Sequence, residues 1–271
     1  MEKNVISNKF DSVESFSRWL QVTPQTEEGR KHNLSKSICS YSTNFSGTES
    51  FEVADDLMKF GDKENASKIN ASIRQLKAQG KGIETRNGLY SSPCGFLPIV
   101  PKVLAGDPQN MLAIKKQRYN STKVLNVLYN ITADFGIKTG QMTETAAKVA
   151  NVIASLEKNG YRVNLYAFFA AKSKLDKHSK ASCLIKIKDS GKYLDTLRIA
   201  YPLINPSFLR RHLFAYLERL EEYKLYDGYG IPLKGEDAKK CVPLQNYCYL
   251  SYYLCEGKTE QEIAKMIENA K

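Results

Sequence analysis

Histidine and tryptophan are scarce, with three and one in 271 residues. His32, His178 and His212 stand in no nucleophile motif. No phosphate loop, dinucleotide glycine fingerprint or H-E-x-x-H stretch occurs. Ser-His-Asp, Cys-His and zinc-peptidase chemistry therefore find no support. No stretch approaches the ~18 consecutive apolar residues of a membrane helix, and Met1-Glu2-Lys3-Asn4 lacks the basic-then-apolar order of a secretion signal. The expectation is an unsecreted protein without a transmembrane segment.

Cysteine pairs are missing too. Cys39, Cys94, Cys183, Cys241, Cys248 and Cys255 include no C-x-x-C, so reduced thiols are expected rather than a disulfide framework. Cys241, Cys248 and Cys255 recur at seven-residue intervals, which on a helix would align three possible ligands for a soft metal. Pro243 leaves Cys241 outside such a helix, and successive thiols would stand about 10 Å apart by helical rise. They are read as small apolar core residues.

Acidic residues are in deficit. Forty Lys and Arg against 29 Asp and Glu give a formal charge of +11. Basic residues cluster at Lys115, Lys116 and Arg118, at Lys172, Lys174, Lys177 and Lys180, at Lys186, Lys188 and Lys192, and at Arg210 and Arg211. With sixteen tyrosines in the chain, the first, second and fourth groups are candidate contacts to nucleic acid or another polyanion, lysines meeting phosphate and aromatics stacking on bases. The alternative reading is a solvated basic surface.

Apolar periodicity supplies the elements. A helix is expected around Val13, Phe16, Trp19 and Leu20, a loop over 23–50, a second helix from Phe51 to Phe60 closed by Gly61, and a third up to Gly80. Residues 88–108 hold four prolines and three glycines and cannot sustain a helix. Their apolar residues, among them Tyr90, Phe96, Leu97, Val100 and Leu104, predict an ordered, buried crossing segment. Thr122–Ile131 and Arg162–Ala170 read as buried strands on either side of a helix over Met142–Glu157, a βαβ unit whose right-handed crossover makes the strands parallel. Ser182–Lys188 reads as a strand nearer an edge, Pro206–Tyr223 as a strong helix, and Asn246–Cys255 and Thr259–Ala270 as a closing pair of helices.

The local pattern that could carry chemistry is Asn130-x-Thr132-x-Asp134, at the carboxyl end of the first sure strand, where open parallel sheets bind ligands. The spacing and the order of strand, loop, long helix and strand resemble the D-x-S-x-S adhesion site of von Willebrand factor A domains, which implies Mg²⁺ held by oxygen ligands. Asn130 stands where that family has its leading Asp, and Asp134 where it has its second Ser, so weak Mg²⁺ binding at most is expected. No other cofactor is indicated.

More widely, Asn44–Leu57, Val103–Met111, the strand and helix above, and Pro206–Arg211 resemble the landmarks of a family of tailed-bacteriophage and prophage proteins. The resemblance covers about residues 10–223 and implies a viral protein acting in the host cytoplasm or on the virion, without implying an activity.

The expected architecture is a three-layer α/β fold, von Willebrand A-like or Rossmann-like, with a partly parallel sheet. Residues 1–84 form a helical N-terminal region packed on a core of residues 85–271 with C-terminal helices. The expected function is a non-enzymatic binding or assembly factor that engages a protein partner through the carboxyl edge of the sheet. Nucleic-acid binding through basic loops is the alternative, and a metal-dependent hydrolase using Asp134 the third.

Overall fold

A computed structural model describes residues 5–36, 45–78, 89–114, 123–176, 179–225 and 228–270. The chain enters as a strand, β1 (Val5–Phe10). Ser12 then caps α1 (Val13–Val22): its hydroxyl accepts from the Ser15 amide at 3.0 Å, and its own amide donates to the Ser15 hydroxyl at 3.1 Å. Phe16 and Leu20 form the buried stripe of α1. Helix α2 (Glu27–His32) and a 3₁₀ turn at Leu34–Lys36 follow, in a region expected to be loop.

Helix α3 (Phe51–Phe60) is capped by Ser50 and ends at Gly61. There φ is +88°, and a Cβ would lie 2.9 Å from the Leu197 carbonyl oxygen, so only glycine fits. Helix α4 (Lys63–Ala78) completes the N-terminal helices.

The central βαβ unit is present as expected. Strand β5 (Val124–Asn130), helix α6 (Thr139–Lys158) and strand β6 (Arg162–Lys172) put β5 and β6 in parallel register. β6 turns back antiparallel into β7 (Lys180–Lys188). Later come α7 (Thr196–Ile204), a π-helical turn at Phe208–Leu213 running into α8 (Phe214–Leu217), β8 (Ile231–Pro232), α9 (Gly235–Lys239), β9 (Cys248–Ser251), α10 (Tyr252–Cys255) and α11 (Glu260–Asn269).

The main sheet has the order β1-β7-β6-β5-β9, with β8 added against the end of β6. β9 lies parallel to β5 and β1 parallel to β7, so the sheet is mixed and parallel-rich. Side-chain alternation along β6 divides the core. Leu165, Ala167, Phe169 and Ala171 face the larger cluster, with α1, α6, α7 and α11, while Tyr166, Phe168 and Ala170 face a smaller one closed by Leu233, Ala238, Cys241 and Tyr249.

Three expectations change. The sheet begins at residue 5 rather than near 85, with β1 as its edge strand and β7 next to it. Asn246–Cys255 is not a helix: Cys248–Ser251 pairs with β5, and only Tyr252–Cys255 is helical. Pro206–Tyr223 is not one α-helix either. Phe208 through Leu213 are all buried, and packing on every side rather than a single apolar stripe sets the wider π turn.

The proline-rich stretch forms a small antiparallel sheet of β2 (Leu89–Ser92), β3 (Leu97–Pro98) and β4 (Met111–Ile114), in the order β2-β4-β3, with a short helix α5 (Val100–Leu104). It is ordered but not buried: no residue from 90 to 113 is buried and none belongs to either core cluster.

Cys183, Cys241, Cys248 and Cys255 are buried within this fold. Burial pushes the Cys248 and Cys255 thiols up to about 11, as expected of core residues rather than ligands.

Candidate functional site

Strands β5 and β6 both end at the same edge, and Asn130, Thr132 and Asp134 leave it in succession. Their side chains turn inward to protein partners. Asn130 Nδ2 donates to the Tyr249 hydroxyl at 2.8 Å and to the Leu233 carbonyl at 3.3 Å, while its Oδ1 accepts from the Thr132 amide at 2.9 Å. Thr132 Oγ1 accepts from the Ala170 amide at 3.0 Å, tying β5 to β6. Asp134 Oδ2 accepts from the Tyr253 hydroxyl at 2.6 Å and pairs with Lys234. Partial burial would raise the Asp134 carboxyl, but the hydrogen bonds from Lys234 and Tyr253 outweigh it and hold the group below the usual range.

The three oxygens expected to share an ion thus serve different partners. Among the described residues no group of three or more His, Cys, Asp or Glu could hold a metal. Asn130 and Asp134 hold the segment from Leu233 to Tyr253 against this edge.

The basic candidates separate. Lys172 and Lys180 face each other across the base of the β6–β7 hairpin and Lys174 is exposed in its loop, whereas Lys115, Lys116, Arg118 and Lys177 lie outside the described residues. Arg210 and Arg211, expected on an accessible basic surface, are both buried on the π turn. Arg211 Nε donates to Thr48 Oγ1 at 2.8 Å, its Nη2 to the Thr48 carbonyl at 2.8 Å, and its Nη1 to the Ser35 carbonyl at 3.1 Å. It ties the α2–α3 connection to the core and presents no charge to a nucleic-acid backbone.

At the carboxyl edge lies a cavity of about 570 Å³, within the range of small-ligand sites. Its apolar walls include Phe45, Phe135, Phe169, Leu209, Phe214 and Tyr229, and Thr132, Lys174, Arg210 and Arg211 contribute polar groups. Phe214 and Tyr229 stack at 4.0 Å with 4° between their planes. The Tyr229 hydroxyl donates to the buried Glu218 carboxylate, which also accepts from Ser35 Oγ at 2.8 Å and Gln25 Nε2 at 2.6 Å. Burial first, and then the Glu218 charge, push the Tyr229 phenol up, so it remains a donor.

Gly230 explains how this wall approaches β6. Its φ is +96°, and a Cβ would stand 2.4 Å from the Lys172 carbonyl oxygen. Large apolar groups are exposed at the rim, Phe135 at 83% and Leu34 at 51%, and Leu175, next in sequence to the lining Lys174, is 60% exposed.

Sequence reasoning placed Thr132, Lys174, Arg210 and Arg211 at a site but missed Phe135, Phe169, Phe214, Glu218 and Tyr229. The missed wall segment contains Gly228-Tyr229-Gly230. Its two glycines flanking an aromatic were the available signal, since such spacing lets a chain run close against a neighbouring backbone.

No curated relative and no solved structure matches the chain. A family does match, over residues 1–270, and the chain belongs to it: the family described as Domain of unknown function (DUF7192).

Proposed function

We propose that this chain is a non-enzymatic binding or assembly factor whose ligand face is the carboxyl edge of β5 and β6, where it engages a protein partner. The observation carrying this reading is the apolar cavity at that edge with exposed Phe135 and Leu34 on its rim and exposed Leu175 next in sequence to the lining Lys174. Clustered exposed apolar groups around a concave site mark interaction surfaces. The titratable groups beside it, Asp134 and Glu218, are committed to internal hydrogen bonds. The mixed sheet with flanking helices is compatible with a von Willebrand A-like ancestry whose metal oxygens have been reassigned. The resemblance to bacteriophage proteins directs the partner search to infected cells.

The test is capture of partners from infected-cell extract, with and without nuclease. Phe135→Asp combined with Leu175→Asp should abolish a nuclease-resistant partner. The opposite reading, nucleic acid held by the β6–β7 loop, requires capture that nuclease removes and that survives those two substitutions. It also requires loss on replacing Lys172, Lys174, Lys177 and Lys180 with Glu, with the salt slope on duplex DNA flattened by roughly 0.9 per lost phosphate contact.

A further inference from the structure

Among the described residues, the cavity wall contains a cation with no carboxylate partner. Arg210 is 3% exposed, and among the described residues no carboxylate pairs with it. Its guanidinium lies 4.0 Å from the centroid of the Phe45 ring, which in turn lies 5.0 Å from the Phe135 ring. Nη1 donates to the Phe45 carbonyl and Nη2 to the Ile137 carbonyl, the latter at 3.0 Å. Two of its five N–H groups are therefore committed. Burial alone lowers Arg210 to about 10, still charged at neutral pH. A charged group removed from water without a partner of opposite sign is costly, and carbonyl dipoles compensate it only in part.

Arg211, its neighbour on the same turn, differs. It donates from Nε, Nη1 and Nη2 to Ser35 and Thr48 and is explained as a strut. Arg210 holds fewer partners and lines a cavity whose other walls are mainly aromatic and aliphatic. A guanidinium fork suits a carboxylate, and the walls suit an apolar body. We propose that the cavity binds a carboxylate carried on an apolar body, with Arg210 as the counter-charge. This rests on the reading of the carboxyl edge as the binding face and names the chemistry recognised there. The same chemistry occurs in a small aliphatic or aromatic acid and in the C-terminus of a partner chain ending in an apolar residue.

The test is calorimetric titration of the full chain with octanoate against octan-1-ol and octanamide, and with Ala-Ala-Phe bearing a free carboxylate against its amide. The carboxylate member of at least one set should bind at least about tenfold more tightly than its neutral counterparts, as a charge-assisted hydrogen bond predicts. Arg210→Met should reduce that preference to less than threefold while neutral probes bind as before. Preference for octanoate alone identifies a free acid as the source, and preference for the peptide acid identifies a chain terminus. Equal binding of acids and neutral probes, or no binding of either at millimolar concentration, overturns the proposal. The wild-type comparison decides even if Arg210→Met does not fold. The partner-face reading is judged separately by the Phe135 and Leu175 substitutions, so either idea can fail alone.

Discussion

The main sheet and the small three-stranded sheet are made from similar kinds of residue and end in opposite physical situations. Strands β5 and β6 bury most of their side chains between two layers. The small sheet, with Tyr90, Phe96, Leu97, Val100 and Leu104, leaves all of these exposed. Charge distinguishes them as well: residues 89–114 carry only Lys102 and Asp107, which pair with each other at 3.3 Å. Apolar content and turn residues determine that such a segment is ordered, but the topology determines what covers it. β2, β3 and β4 follow one another in the chain and pair among themselves, so they complete their own ladder without entering the main sheet.

The sharpest way to break this comparison is a matched pair of truncations. Phe16 is fully buried against Phe10, Phe208 and Tyr216. Phe16→Ala should cost about 3–5 kcal/mol, the usual range for removing a core aromatic. Phe96→Ala in the small sheet should stay within about 0.5 kcal/mol. Urea unfolding of the two variants measures both, and comparable losses would show that the small sheet is part of the cooperative core.

The same contrast marks what could be read in advance. Helix α6 was legible because Ala146, Val149, Ala150 and Ile153 repeat at helical spacing with Gly160 beyond, and β5 and β6 because their apolar runs are continuous. β1 was not: Ser7, Asn8 and Lys9 give Val5–Phe10 no strand signature, and it is a strand because β7 offers it a ladder. β9 is four residues long, too short for periodicity. At the site, the position of Asn130, Thr132 and Asp134 at a carboxyl edge could be inferred locally. Their use could not, because Lys234, Tyr249 and Tyr253 arrive from more than a hundred positions later or close to it. The cavity walls come from equally distant segments, and no local window contains Phe45, Phe169 and Tyr229 together.

A second prediction concerns the polar side of the core. Tyr229→Phe removes one donor from the buried Glu218 carboxylate, which keeps Ser35 and Gln25. A loss of about 1–3 kcal/mol is expected for a charge-assisted bond withdrawn from a buried acceptor, visible as a lower urea midpoint with unchanged slope. The apolar ring stays stacked on Phe214, so the cavity shape should persist, and wild-type stability in this variant would exclude Glu218 as an anchor.

A third prediction uses pH. His212 is buried beneath α3, with Nδ1 2.7 Å from the Tyr201 hydroxyl and Nε2 3.9 Å from Asp55. Burial lowers its pKa from the ordinary 6.5, Arg211 and Lys59 act in the same sense, and Asp55 opposes them. The folded state therefore binds fewer protons at this site than the unfolded one. Its contribution is complete above about 6.5 and declines as pH falls through that value toward the lower folded pKa. Unfolding at pH 7.5 and 5.5 should show a loss at the lower pH that His212→Gln reduces. An unchanged dependence would assign it to other groups.

The smallest expected effect belongs again to the small sheet. Leu104 is 83% exposed at the end of α5, and Leu104→Asp places a charge where water already is. Stability should change by no more than about 0.5 kcal/mol. Cys94 lies in the same unit and is exposed, whereas Cys183, Cys241, Cys248 and Cys255 are buried. Under native conditions a thiol-alkylating reagent should modify Cys94 at a rate near that of an unfolded thiol and leave those four intact, since the reactive thiolate requires both access and deprotonation. Peptide mapping after brief labelling reads this site by site. Protection of Cys94 that Leu104→Asp releases would mean that these apolar side chains are covered in solution, and the contrast between the two sheets would then be one between burial by the chain itself and burial by a neighbour.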